Sequence, residues 1–170
     1  MRYTKVVTLE EAIRKSGLKD GMTISFHHHF RGGDKVVNLV VAKLAEMGFK
    51  DLHLAASSLS DVHTPLIEHI KNGVITRIST SGLRGELANE ISHGLLKEPV
   101  VFRSHGGRGS AIASGELHID VAFLGASSCD ELGNASGCPR SENAKSICGS
   151  LGYALPDAMH CLQPSLKKPE

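Results

Sequence analysis

Five short apolar runs, at 22–26, 52–56, 74–78, 100–102 and 119–124, restrict the fold of this chain more than any other feature. Each is followed by a cluster of Gly, Ser, His, Thr or Arg, and residues of helical period lie between most of them. Several runs are continuously apolar instead of alternating with polar residues, as expected of strands covered on both faces. Strands that alternate with helices in this way predict an α/β fold, a three-layer α/β/α arrangement around a mostly parallel sheet.

Local signals place the helices. Thr8-Leu9-Glu10-Glu11 reads as a capping box, in which the Thr8 hydroxyl accepts from the Glu11 amide and Glu11 reaches back; Gly17 supplies the stop. Asp34 is placed to cap a helix whose face carries Val36, Val37, Val40, Val41 and Leu44 and which ends at Gly48. Thr64-Pro65 opens another helix, with Gly73 beyond its end. Leu87, Ala88, Ile91 and Leu95 mark a further one. From Pro156 onward periodicity is lost, so the expected organisation is one domain over 1–155 and an irregular tail over 156–170 that reads as a truncation.

Composition excludes several classes of function. At 170 residues the chain suits one domain with a substantial core, and a net charge of +1 provides no field for nucleic acid or membrane. Two Tyr, five Phe and no Trp argue against base-stacking platforms. No apolar run reaches the roughly 20 residues that span a bilayer, and the charged N-terminus is not a secretory signal. Cys129, Cys138, Cys148 and Cys161 contain no C-x-x-C and do not fit a zinc knuckle; without an export signal they read as free thiols in a reducing cytoplasm. Phosphate-cradling, dinucleotide and nucleophile-elbow fingerprints are missing.

The chemistry lies in the segments just past the strands. The first run leads into His27-His28-His29-Phe30-Arg31-Gly32-Gly33, the second into Ser57-Ser58-Leu59-Ser60-Asp61, the third into Ser79-Thr80-Ser81-Gly82-Leu83-Arg84-Gly85. The fourth leads into Arg103-Ser104-His105-Gly106-Gly107-Arg108-Gly109, and the fifth into Gly125-Ala126-Ser127-Ser128. In a parallel sheet these turns share one edge, where open α/β sheets bind ligands. Glycine admits close backbone approach, helix N-termini favour anions, and arginine pairs with carboxylate or phosphate. An anionic ligand is the expected guest.

The histidine triplet invites a metal reading. His27 and His29 point the same way in an extended chain, so zinc would need a third ligand such as His105, His63 or Asp61. Imidazoles that pack and hydrogen-bond in a turn are the preferred reading, and one of them binding a carboxylate is a middle course. No metal is expected, and the internal run is not a tag. Ser141-Glu142-Asn143 lies outside the strand-end pattern and reads as an incidental loop tripeptide.

The blocks GMTISFHHHFRGGD, LAASSLSDVHTPLIEHI, TSGLRGELANEISHGLLKEPV, SHGGR, SGELHIDVAFLGASSCDELGNASG and CGSLGYA resemble the N-terminal part of citrate lyase alpha chains, the citrate CoA-transferase subunit. The resemblance runs from about Leu9 to Ala154; the stretch from Gly137 to Lys145 and the tail past Pro156 depart from it. It implies a CoA-transferase-like α/β/α fold and a cytoplasmic enzyme part that exchanges acetyl for citryl on an acyl-carrier thioester, releasing acetate. It also implies beta and gamma (acyl-carrier) partner chains in an oligomeric complex, and a second half of the alpha chain that completes the site. The chain itself would bind no cofactor, the dephospho-CoA-derived arm being carried by the partner. No nucleic acid or membrane partner is implied.

On this resemblance the substrate and thioester contacts fall to Arg31, Gly32, Gly33, Ser57, Ser58, Ser81, Gly82, Arg84, Ser104, His105, Gly106, Gly107 and Arg108. Amides at Gly32-Gly33 and Gly106-Gly107 would meet an oxyanion or the pantetheine, and Arg31, Arg84 and Arg108 would meet carboxylates or phosphates. No catalytic protein group is assigned. Two other readings stay open: a non-catalytic binding or assembly module of this fold, and a metal-dependent hydrolase or isomerase using His27, His29 and His105.

Overall fold

A computed structural model describes residues 6–27, 35–126, 128–136 and 161–162. Helix α1 (Leu9–Ser16) begins where the capping signal lies: the Thr8 hydroxyl accepts from the Glu11 amide at 3.2 Å, and Gly17 closes the helix at φ +76°. The Glu11 carboxylate, expected to reach back to Thr8, pairs instead with Lys15 one turn on at 2.6 Å. Strand β1 (Thr23–Phe26), α2 (Val36–Glu46) and β2 (Leu52–Ala56) come next. The proposed Asp34 cap lies outside the described residues.

After a 3-10 turn at Asp61–His63 come α3 (Leu66–Lys71), β3 (Ile75–Thr80), α4 (Gly85–Ser92), β4 (Val101–Phe102), α5 (His105–Ala113) and β5 (Val121–Phe123). A small antiparallel hairpin pairs β6 (Ser128–Cys129) with β7 (Ala135–Ser136), and β8 (Cys161–Leu162) runs parallel to β5. That last strand falls in the tail over 156–170, where the sequence predicts no regular element.

Among the described residues the main sheet has six strands in the order β4-β3-β2-β1-β5-β8, all parallel. Successive strand side chains point to opposite faces. One face carries Ile24, Phe26, Leu52, Leu54, Ala56, Ile78, Val121 and Phe123, which form the main core with apolar residues of α1 to α4. Phe26 and Phe123 stack there across the β1–β5 pair with ring centroids 5.4 Å apart. On the other face Ala55 and Ala122 pack against Ala111 and Ile112 of α5 and against Leu117 and Ile119. The layers are therefore α1 to α4, sheet, and α5.

This second face is smaller and more polar than continuously apolar strands would make it. The registers align Thr23 with His53 and His53 with Arg77, and Ser25 with Ala55 and Ser79. The His53 imidazole links the β1 and β3 side chains, with Nε2 2.9 Å from Ser79 Oγ and Nδ1 3.4 Å from Thr23 Oγ1. Burial, reinforced by Arg77 and Arg103, holds its pKa down at about 4.

Two local expectations are corrected. The strand-end pattern extends the fourth turn through residues 105–109; only Arg103 and Ser104 belong to it, and His105 to Gly109 open α5, where Ser104 Oγ accepts from the Gly107 amide at 3.0 Å. The cap, and burial of Arg108, Ala111 and Ile112, outweigh a helix-propensity cost of roughly 1 kcal/mol per glycine. Leu95 lies past the end of α4, beyond Gly94 at φ +93°, and packs against the core from there.

Candidate functional site

Because the strands of the main sheet run parallel, the described connectors at their carboxyl ends share one edge. The chain steps outward from β1 through β2 and β3 to β4, then returns by way of α5 to place β5 on the other side of β1. Strand order thus reverses at β1, and at such a reversal neighbouring connectors diverge and leave a crevice.

On the β2 side of β1 a cavity of about 170 Å³ opens, lined by His27 after β1, Ser57 after β2, and His105, Gly106, Arg108 and Gly109 of α5. The first-turn amides of a helix lack carbonyl partners within it and give that end a partial positive charge. Here the Ser104 hydroxyl takes the Gly107 amide, while Gly106 borders the cavity.

Arg108 is only 7% exposed. Its Nη2 donates to Ser25 Oγ at 2.8 Å and to the Ala55 carbonyl at 3.1 Å, pinning α5 to β1 and β2. Burial lowers its pKa from the ordinary arginine value, and its buried Nε–H has no hydrogen-bond partner among the described residues. The side chain is neither solvated nor free to reach.

The other expected site residues divide into three groups. Ser58, Ser81, Gly82 and Arg84 belong to two connectors zipped together above β2 and β3: the Leu59 amide donates to Gly82 O at 2.8 Å, Ser81 to Ser57 O at 3.3 Å, and Arg84 to Leu59 O at 3.2 Å. A Cβ on Gly82 would stand 3.2 Å from Ser58 Oγ, so the glycine permits this close approach. Arg84 is exposed at the start of α4. None of these four lines the cavity. Ser104 and Gly107 cap α5. Arg31, Gly32 and Gly33 lie outside the described residues.

Two cavity residues are not among the expected substrate contacts. The sequence reads His27, with its two neighbours, as packing in a turn, as a carboxylate donor or as a metal ligand, without counting it among the substrate contacts; it is the first residue beyond β1, and that position is its signal. Gly109 stands three residues after Gly106, on the same helix face, and its place is legible only once this segment is known to be helical.

Two of the three candidate third ligands for zinc have structural tasks, and His105 lines the cavity. His63 Nδ1 accepts the Ser60 amide at 2.9 Å, and Asp61 packs against Gly85. Among the described residues no three His, Cys, Asp or Glu side chains are placed to hold a metal ion; His28 and His29 are not among those residues. A larger open groove of about 440 Å³ runs along α4 and the segment before β4. Leu83, Ala88, Ile91, Leu96, Pro99, Val100 and Phe102 line it together with Ser92, Lys97 and Glu98, without the histidine and arginine that meet beneath α5. No described helix is long and apolar enough to cross a membrane.

Comparison with known proteins agrees with this architecture. The sequence profile of the family described as citrate lyase, alpha subunit (CitF), matches residues 3–165. The chain is 69% identical over 153 residues to the citrate lyase alpha chain of Klebsiella pneumoniae, covering 90% of this chain and 29% of that one. Identity to the citrate lyase alpha chain of Escherichia coli (strain K12) is 65% over 155 residues, covering 91% and 30%. A crystal structure from Streptococcus mutans, described as the alpha subunit of citrate lyase in complex with citrate, matches with a TM-score of 0.85 and 50% identity, covering 96% of this chain and 33% of that one. The chain spans about three tenths of the length of the curated relatives it matches. On its sequence, and on a parallel sheet superposing over nearly its whole length, the chain belongs to the citrate lyase alpha subunit family.

Proposed function

We propose that this chain supplies the strand-end cleft of a citrate CoA-transferase component, the part that holds citrate beside an acyl-carrier thioester. The observation that carries this reading is the cavity at the carboxyl ends of β1 and β2, walled by the α5 N-terminus and Arg108, in a chain with 50% identity to a subunit described in complex with citrate. Helix-end amides and a buried guanidinium suit carboxylates.

In the proposed exchange a citrate carboxylate attacks the acetyl thioester carbonyl, giving a mixed anhydride and free thiolate. The thiolate then attacks the citryl carbonyl, forming citryl thioester and releasing acetate. No protein nucleophile is needed, so the work of the cleft is to position citrate and to stabilise the developing oxyanion. The arm bearing the thiol belongs to the acyl-carrier partner and enters as substrate. Ser58, Ser81, Gly82 and Arg84, on the zipped connectors, suit contacts along its path, and the beta chain would act on the citryl thioester afterwards.

An acetate-release assay with citrate and acetyl-thioester carrier tests this. The chain is expected to release acetate when supplemented with the remaining part of a relative's alpha chain, and to bind citrate without it. Citrate binding with no release under either condition would favour a binding or assembly module. No citrate binding at all would refute the reading.

A further inference from the structure

The sheet ends at β4, and among the described residues no strand pairs with its outer side. The register aligns Val101 with Ser79 and Phe102 with Thr80, and the Arg103 amide donates to the Thr80 carbonyl at 3.0 Å. Successive residues of a strand turn their backbone polar groups to opposite neighbours. Val101 and Arg103 therefore face β3, while Phe102 turns its N–H and C=O outward. Phe102 is 59% exposed and Val101 44%. A bare edge of this kind is a template for another strand, and folds usually blunt it with charges, proline or a covering segment. Lys97, Glu98 and Pro99 stand before β4, but both residues of the strand itself are apolar.

The groove of about 440 Å³ runs beside this edge, with Ala88 and Ile91 of α4 on one side and Phe102 on the other. An edge strand next to an apolar groove against a helix suits an extended segment. Main-chain hydrogen bonds hold such a segment, and its alternate side chains enter the groove.

Two observations select the occupant. This chain covers 29% and 30% of its relatives from Klebsiella pneumoniae and Escherichia coli, so in them the greater part of the polypeptide is continuous with the region matched here. A segment tethered in the same polypeptide needs little intrinsic affinity, because its effective concentration is high. A second copy of this chain fits less well. Two β4 edges related by a two-fold axis would share only the hydrogen bonds of Phe102, and would leave the α4 side of each groove open.

We infer that β4 and the groove along α4 form a docking edge for an extended apolar segment from the part of an alpha chain that this chain does not span. The segment adds a strand outside β4, pairs with the Phe102 N–H and C=O, and lays alternate apolar side chains into the groove. This edge shares no lining residue with the strand-end cavity, and the inference does not depend on the citrate reading.

Amide hydrogen exchange read by mass spectrometry tests it, at Phe102 of this chain and at the matching position of the full-length Klebsiella pneumoniae alpha chain. The Phe102 amide is expected to exchange freely in this chain and about a hundredfold more slowly in the longer one, between a frayed edge and a core strand. Phe102→Asp is expected to leave the Tm of this chain unchanged, and Asp at the matching position to lower the Tm of the longer chain. Equally fast exchange in both proteins would overturn the inference, because the edge would then stay bare. Protection in this chain would also overturn it: if it fades on dilution a second copy holds the edge, and if it persists the chain covers itself. An equal loss of Tm in both proteins, or none in the longer one, would likewise refute it.

Discussion

Arg108 and Gly85 show how much one position can hold in this fold. Arg108 Nη2 bridges a β1 hydroxyl and a β2 carbonyl from a helix on the opposite layer. Arg108→Met keeps the apolar stem but leaves the Ala55 carbonyl without that donor. Hydrogen bonds from a charged donor contribute about 1.5–3 kcal/mol, offset in part by removal of a buried cation, so urea unfolding should show a loss of about 1–3 kcal/mol. Gly85 stands at φ +73°, where an added Cβ would lie 1.7 Å from Asp61 Oδ1. Gly85→Ala combines backbone strain with displacement of the connector after β2, so a loss of about 2 kcal/mol or more is expected in the same measurement. Gly82→Ala, with its nearest contact at 3.2 Å to a serine hydroxyl, should cost less; equal costs would show that neither the positive φ nor the Asp61 contact sets Gly85 apart.

At the scale of elements, α5 is the helix on which the site depends. Three glycines in its nine residues make it a poor helix in isolation, and its start is held by Ser104. Ser104→Ala removes that cap and should cost about 1 kcal/mol, lowering Tm by roughly 2–4 °C for a chain of this size. Because the cap also orients the first-turn amides at the cavity, citrate affinity should fall with it. Thr8→Ala removes the equivalent bond from α1, outside the cavity lining, and should reproduce the stability loss with unchanged affinity. A Thr8→Ala variant that lost affinity as well would mean that general loosening, and not the end of α5, governs binding.

Across the whole molecule the two sheet faces differ in chemistry, and this sets an expected pH response. The face beneath α1 to α4 is apolar, whereas the α5 face holds His53 between Thr23 and Ser79 with Arg77 and Arg103 nearby. The folded state holds the His53 pKa at about 4, against 6.5 for the unperturbed side chain. Between these values the unfolded chain binds a proton that the folded chain does not, so this contribution to stability falls as pH drops through that window. The ring is only partly buried, and after allowance for solvent screening the loss is ~1 kcal/mol. Urea midpoints at about pH 7 and about pH 4.5 should show it, and His53→Gln should shrink the difference by that amount.

The amino-acid sequence determined what depends on near neighbours. β2 lies where its apolar run predicts it, and α1 starts at the Thr8 cap and stops at Gly17, because strand and helix periods and cap chemistry act within a few residues. It also brought the strand-end clusters to one edge, since a parallel sheet leaves them no other. Tertiary structure alone decided which of those clusters meet. Ser57, His105, Gly106 and Arg108 share a cavity, while Ser58, Ser81, Gly82 and Arg84 join two connectors to each other. That division comes from the return of the chain across the second face, a pairing between segments far apart in sequence. The same return drew a glycine-rich segment into a helix and buried Arg108, because packing against β1 and β2 supplied the free energy that local propensity lacked.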